Sequence, residues 1–166
     1  IGLSYLKKSK QPRKIYMLDF CEEMLECAKI KGQSPVFNRH QISYIQADAQ
    51  LIPLKNEAVH SATVAYVIRN IQDPKKCIDE VFRVLKPGGS FGILELTQPS
   101  NRILKIGHKI YLKVVLPVIG RMLTSNQQAY EYLCNSINSF VKPKELESML
   151  KDAGFVQTRQ KPLAGG

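Results

Sequence analysis

No C-x-x-C pair occurs in this chain, and no apolar run approaches the roughly 18 residues of a membrane-spanning helix. No signal-peptide pattern opens it either. Cys21, Cys27, Cys77 and Cys134 sit inside apolar-periodic segments, so the expectation is buried thiols in a reducing compartment and an intracellular, soluble chain. Metal-ligand spacing is lacking among His40, His60 and His108. Acidic residues are scarce: 14 Asp and Glu stand against 24 Lys and Arg, a net charge of +10. That balance serves solubility or marks an anionic partner, such as nucleic acid, a membrane surface or an acidic ligand. Internal repeats, low-complexity tracts and domain linkers are also missing. What is present, 166 residues with 44% apolar and 23% charged, fits one globular domain over 1–166. A domain of that size buries roughly 70% of the surface its unfolded chain exposes, so it needs no disulfide or metal staple.

Strand-like and helix-like stretches alternate. Ile15-Tyr16-Met17-Leu18 is an apolar run ending in Asp19, and residues 22–31 place Met24, Leu25 and Ala28 at helical spacing. Ile42-Ser43-Tyr44-Ile45 leads into Ala47-Asp48-Ala49. The small and β-branched run 61–67 suits a strand buried on both faces of a parallel sheet. Asp73-Pro74 then supplies an N-cap and a first-turn proline for a helix carrying Ile78, Val81, Phe82 and Leu85, which Pro87-Gly88-Gly89 ends before a strand over 91–96. A last stripe, Leu146, Met149, Leu150 and Ala153, stops at Gly154. The alternation predicts an α/β domain with a largely parallel sheet. Residues 102–140 break it, with helical spacing at Ile103, Ile106, Ile110 and Val114 and again at Tyr130, Leu133, Cys134 and Ile137; this predicts an inserted helical lid.

Ligands of open α/β sheets bind beyond the carboxyl ends of the strands. Asp19 stands at such an end, where a carboxylate can accept both hydroxyl protons of a ribose. Asp48-Ala49 follows the second strand, where a carboxylate beside a backbone N–H can recognise adenine. Arg69-Asn70 closes the third strand and would face whatever reacts. An Asp after a strand is by itself more often a loop or capping residue than a ligand contact; together, their spacing over successive βα units points to a nucleoside. A nucleoside site also calls for a glycine-rich turn, yet the only glycine before Ile15 is Gly2.

The segments Leu18-Asp19-Phe20-Cys21-Glu22-Glu23-Met24-Leu25, 46–54 and Ile68-Arg69-Asn70-Ile71-Gln72-Asp73 resemble a class I S-adenosylmethionine (SAM)-dependent methyltransferase. With Leu94-Glu95-Leu96-Thr97-Gln98-Pro99, 116–120, 130–137 and Asp152-Ala153-Gly154-Phe155, the chain is similar to the ubiquinone/menaquinone biosynthesis C-methyltransferase family. The resemblance implies a Rossmann-like sheet, SAM as methyl donor, Asp19 on its ribose, Asp48 and Ala49 on its adenine, and Ala65 lining the cofactor pocket. The family's first strand, glycine-rich loop and Thr-containing turn have no counterpart here. Leu163-Ala164-Gly165-Gly166 resembles its "L-T-x-G" element, without the strand that follows. The expectation is a chain truncated at both ends, its strand pairs lacking the central neighbour that the family order 3-2-1-4-5-7-6 supplies.

The resemblance further implies methyl transfer to a ring carbon of a polyprenylated benzoquinol or naphthoquinol. Deprotonating the adjacent hydroxyl makes that carbon nucleophilic, and a guanidinium beside the oxygen would lower its pKa. Arg69 is expected there, or else in an ion pair with Asp73; Asn70 would orient the same oxygen, and Tyr132 would hydrogen-bond the ring or merely make a helix contact. His108 is the neutral-pH base by type but sits on a basic helix and is expected to be solvated. Arg102, Lys105, Lys109 and Lys113 recur at helical spacing, which reads as a solvated lid face or as a basic surface for anionic headgroups. Expected partners are the quinol, a membrane surface at the inner face of the cytoplasmic membrane, and a second copy in a homodimer, with no nucleic acid. The competing readings are an RNA-binding or RNA-methylating protein and a non-catalytic SAM-fold partner; for the RNA reading, neither a basic-aromatic stacking platform nor an N-P-P-[YF] element occurs.

Overall fold

The computed structural model describes residues 2–96, 132, 136–137 and 140–163. Most of the expected lid, with His108 and the basic repeat 102–113, and Cys134 lie outside them. In chain order the elements are α1 (Gly2–Lys8), β1 (Lys14–Asp19), α2 (Glu22–Gly32), β2 (Gln41–Gln46), β3 (Val59–Ala65), α3 (Pro74–Val84), β4 (Leu85–Leu94) and α4 (Pro143–Asp152). Short 3-10 turns occupy Pro35–Phe37 and Ile68–Asn70. Among the described residues no helix is long and apolar enough to cross a membrane.

Strands β1 and β2 pair in parallel, from Lys14 opposite Gln41 to Asp19 opposite Gln46. Strands β3 and β4 form a second two-stranded sheet. Its hydrogen bonds advance in the same sense along both segments, Glu57 N–H to the Arg83 carbonyl at 3.0 Å and Tyr66 N–H to the Leu94 carbonyl at 2.9 Å. No ladder joins the two pairs among the described residues. The chain divides into two compact units, residues 1–62 with 79–91 and residues 63–78 with 92–166. In the first, α2 packs on β1 and β2, and Leu6, Leu25, Phe37, Val81, Val84 and Leu85 are buried. In the second, Ile68, Cys77, Ile78, Ile137 and Ser136 are buried.

Local chemistry explains where the helices start and stop. The Asp73 carboxylate accepts the Lys76 N–H at 3.0 Å, the N-cap expected before Pro74. Helix α4 ends in paired bonds, Phe155 N–H to the Leu150 carbonyl and Gly154 N–H to that of Lys151, both 3.0 Å. Gly154 provides the left-handed turn, at φ 110°. Glu22 and Glu23 at the start of α2, and Lys29 and Lys31 at its end, match the helix dipole.

Several expectations are corrected. Helix α3 ends at Val84 and β4 begins at Leu85, so Pro87-Gly88-Gly89 runs inside the strand and is not a turn between helix and strand. The Arg83 carbonyl, whose helical partner would be Pro87 with no N–H to give, accepts from Glu57; Leu85 is buried either way, which is why apolar spacing could not separate helix from strand. Phe82 is exposed, and Cys77 and Val84 fill the buried stripe. Strand β3 is not buried on both faces: His60, Ser61 and Thr63 are exposed on a strand paired only with β4 among the described residues. Cys77 is buried as expected, but Cys27 is exposed on α2 and Cys21 is half-buried at its N-cap. The short helix α1, which buries Leu6 completely, has no counterpart in the sequence reading.

Candidate functional site

Parallel pairing brings the carboxyl ends of β1 and β2 side by side, because Ala47 N–H bonds the Asp19 carbonyl at 3.1 Å. Asp19 and Asp48 thus emerge from adjacent strand ends of the first unit. The Asp19 carboxylate accepts the Cys21 N–H at 3.0 Å, which fixes its rotamer at the start of α2. Asp48 is exposed and forms a turn through its Oδ1, which accepts the Gln50 N–H at 2.8 Å. The Gln50 amide also donates to both Asp48 oxygens, at 3.1 and 2.9 Å. Gln50 Nε2 is an N–H donor of the same kind as the exocyclic amine of adenine, so an adenine could replace it without leaving the carboxylate unpaired. A half-buried Ala49 follows. Carboxylates at two adjacent strand ends are groups that could accept from the hydroxyl and amine donors of a nucleoside.

The second unit carries Ala65, Arg69, Asn70 and Tyr132. Ala65 is the last residue of β3 and half-buried. Next comes Tyr66 at φ 60°, a left-handed conformation that costs a non-glycine residue about 1–3 kcal/mol. Its N–H is held by the Leu94 carbonyl, and its own carbonyl accepts from Arg69 Nη1 at 2.8 Å. Arg69 does not pair with Asp73, which is occupied in capping α3. Its guanidinium forms an ion pair with Glu95, the two side chains 8% and 2% exposed, and Arg69 Nε donates to Ser136 Oγ at 3.2 Å. The Arg69 backbone N–H also reaches Glu95 Oε2, at 3.3 Å. Asn70 is exposed beside this buried pair, and Tyr132 is 59% exposed.

Sequence reasoning missed Glu95 and Ser136 as partners of Arg69. The available signal was a lone acid in the apolar run Leu94-Glu95-Leu96, since a carboxylate at a strand end is rarely buried unpaired. Among the described residues no group of three or more His, Cys, Asp or Glu could hold a metal ion.

The sequence matches the ubiE/COQ5 methyltransferase family across residues 1–166. The chain belongs to that family. It is 48% identical over 166 residues to the demethylmenaquinone methyltransferase of Protochlamydia amoebophila, covering the whole chain and 69% of that protein. To the enzyme of the same name from Chlamydia caviae it is 38% identical over 151 residues, covering 90% of the chain but 64% of that protein. A ubiquinone/menaquinone biosynthesis C-methyltransferase of Rickettsia prowazekii is 37% identical over 170 residues, with 68% of its length covered. Solved structures agree on the fold. A SAM-dependent methyltransferase from Aquifex aeolicus superposes with TM-score 0.58 at 20% identity, covering 92% of this chain and 64% of that one. The methyltransferase bound to the Trm112 activator of Haloferax volcanii gives 0.65 at 18% identity, covering 99% and 60%. The fold is that of class I methyltransferases, and SAM is the methyl donor of this methyltransferase family.

Proposed function

We propose that this protein methylates a ring carbon of a polyprenylated quinol, with a naphthoquinol of the demethylmenaquinol type as substrate. The observation that carries the reading is the match over all 166 residues to a protein named for that reaction. When bound, SAM supplies a methyl group on an electron-poor sulfonium. Asp19 would hold its ribose and Asp48 with Ala49 its adenine, and Ala65, with no side chain beyond Cβ, would leave room for it. Arg69 and Asn70 would present hydrogen-bond donors to the hydroxyl oxygen next to the accepting carbon, drawing its proton equilibrium toward the phenolate. Tyr132, on the exposed side, would contact the ring.

The test uses the full-length protein, isotopically labelled SAM and a short-chain demethylmenaquinol. Label is expected in the ring; wild-type protein that transfers none overturns the proposal. Asp19→Ala is expected to raise KM for SAM about tenfold or more while leaving that for the quinol nearly unchanged, since each charge-assisted bond contributes about 1.5–3 kcal/mol. Arg69→Ala is expected to lower kcat on the order of a hundredfold. The basic repeat Arg102, Lys105, Lys109 and Lys113 supports a location against the inner face of the cytoplasmic membrane, where such a substrate resides. Co-sedimentation with vesicles should then require anionic lipid and fall with salt; equal binding to neutral vesicles would sink this part.

A further inference from the structure

We propose that Glu95 and Ser136 are positioning residues that act through Arg69, holding its guanidinium in the orientation that faces the substrate oxygen and balancing its charge. The inference rests on the reading of Arg69 given above. Glu95 lies just past β4 with its side chain 2% exposed, and both of its oxygens are committed. Oε1 accepts from Arg69 Nη1 and from the Leu96 N–H at 2.9 Å, and Oε2 accepts the Arg69 N–H. Arg69 in turn meets three acceptors from three separate segments: the Tyr66 carbonyl after β3, Glu95 after β4, and the hydroxyl of Ser136, itself 8% exposed. An arginine side chain has many rotamers; three acceptors from different directions leave it one.

The arrangement has an electrostatic consequence. The substrate hydroxyl meets a guanidinium whose charge is offset by a buried carboxylate, so its pKa is lowered less than a lone cation would lower it. The left-handed Tyr66 turn is closed by the same guanidinium, so Arg69 also sets where Asn70 begins. The titratable groups at this junction, among the described residues, are Glu95, Arg69 and the phenol of Tyr66, which is 47% exposed.

The experiment measures kcat, KM and the pH dependence of kcat for full-length wild type, Glu95→Gln, Glu95→Asp and Ser136→Ala. Glu95→Gln keeps an acceptor but removes the balancing charge. It is expected to lower kcat about tenfold or more, leave KM for SAM unchanged, and move the acid limb of the profile to lower pH. Glu95→Asp, which keeps the charge at shorter reach, should lower kcat with the limb where wild type has it. Ser136→Ala leaves the ion pair intact and serves where Glu95→Gln does not fold; it is expected to lower kcat several-fold at constant KM for SAM. Unchanged kcat in Ser136→Ala or Glu95→Gln overturns the inference, as does a loss in Glu95→Gln with an unmoved limb, which marks a merely structural carboxylate. Wild-type protein that fails to methylate the quinol overturns the functional reading first, and this inference with it.

Discussion

Gly88 and Gly89 are neighbours in sequence but restrict substitution for different reasons. Gly88 is at φ 75° with open space around it, so a side chain there meets only its own backbone. A Cβ on Gly89 would sit 2.8 Å from the Lys86 carbonyl oxygen and 3.1 Å from that of His60, and backbone would have to move. Gly88→Ala is expected to cost about 1–2 kcal/mol, and Gly88→Asn less. Gly89→Ala is expected to cost about 1–3 kcal/mol, with Gly89→Asn no better. Urea denaturation of the four variants separates conformational strain from contact. The dipeptide was legible as a turn signal; that it runs within a strand was not, because the close approach of the His60 carbonyl is set by pairing with β3. Arg69 shows the same division. Its position after a strand could be read from the sequence, while its partner Glu95, 26 residues on, required the fold.

At the level of elements, Arg83 and Glu80 tie α3 to the segment after β2. Arg83 donates to Glu80 at 2.7 and 2.8 Å. It also donates to the carbonyls of Leu54 and Ile52 at 2.8 Å and to Asn56 Oδ1 at 2.9 Å, while Glu80 accepts the Ile52 N–H at 2.8 Å. The hydrogen bond that Arg83 donates to the Glu80 carboxylate holds the Arg83 pKa above its usual value. Arg83→Ala removes the guanidinium from the Leu54 and Ile52 carbonyls, of which the second keeps the Leu54 N–H, and should destabilise by about 1–3 kcal/mol, with faster amide exchange at Ile52 and Glu57 than at Leu25. Equal exchange would mean that the segment is held by other contacts. Helix α4 offers a pH test. Hydrogen bonds from Lys151, at 2.7 Å, and from Thr158, at 3.0 Å, hold the Glu147 carboxyl below its usual value. Because the folded value is depressed, the stabilisation is present above the usual carboxylate range and is lost as pH falls through the depressed value. The pair is exposed, so the effect is small and screened by salt. Titration of Glu147 by carbon-detected NMR should show its midpoint rise in Lys151→Ala; an unmoved midpoint would assign the shift elsewhere.

For the whole molecule, a charge of +10 on 166 residues repels itself in the folded state. Raising neutral salt from about 0.01 M to 0.1 M shortens the screening length from about 30 Å to about 10 Å. The urea midpoint is therefore expected to rise over that range with its slope unchanged, and a falling midpoint would mean that attractive pairs dominate. The sequence by itself determined the alternating elements, the caps at Asp73 and Gly154, the strand-end placement of Asp19, Asp48 and Arg69, and the family. All of these rest on contacts within a few residues or on motifs in order. Only the tertiary structure decided that Asp19 and Asp48 leave adjacent strands, that β3 is open to solvent, that α3 yields to β4 at Leu85, and that Arg69 is buried against Glu95 and Ser136. Those facts depend on which distant segments supply partners for a strand edge or a buried charge, and residue spacing along the chain does not encode that choice.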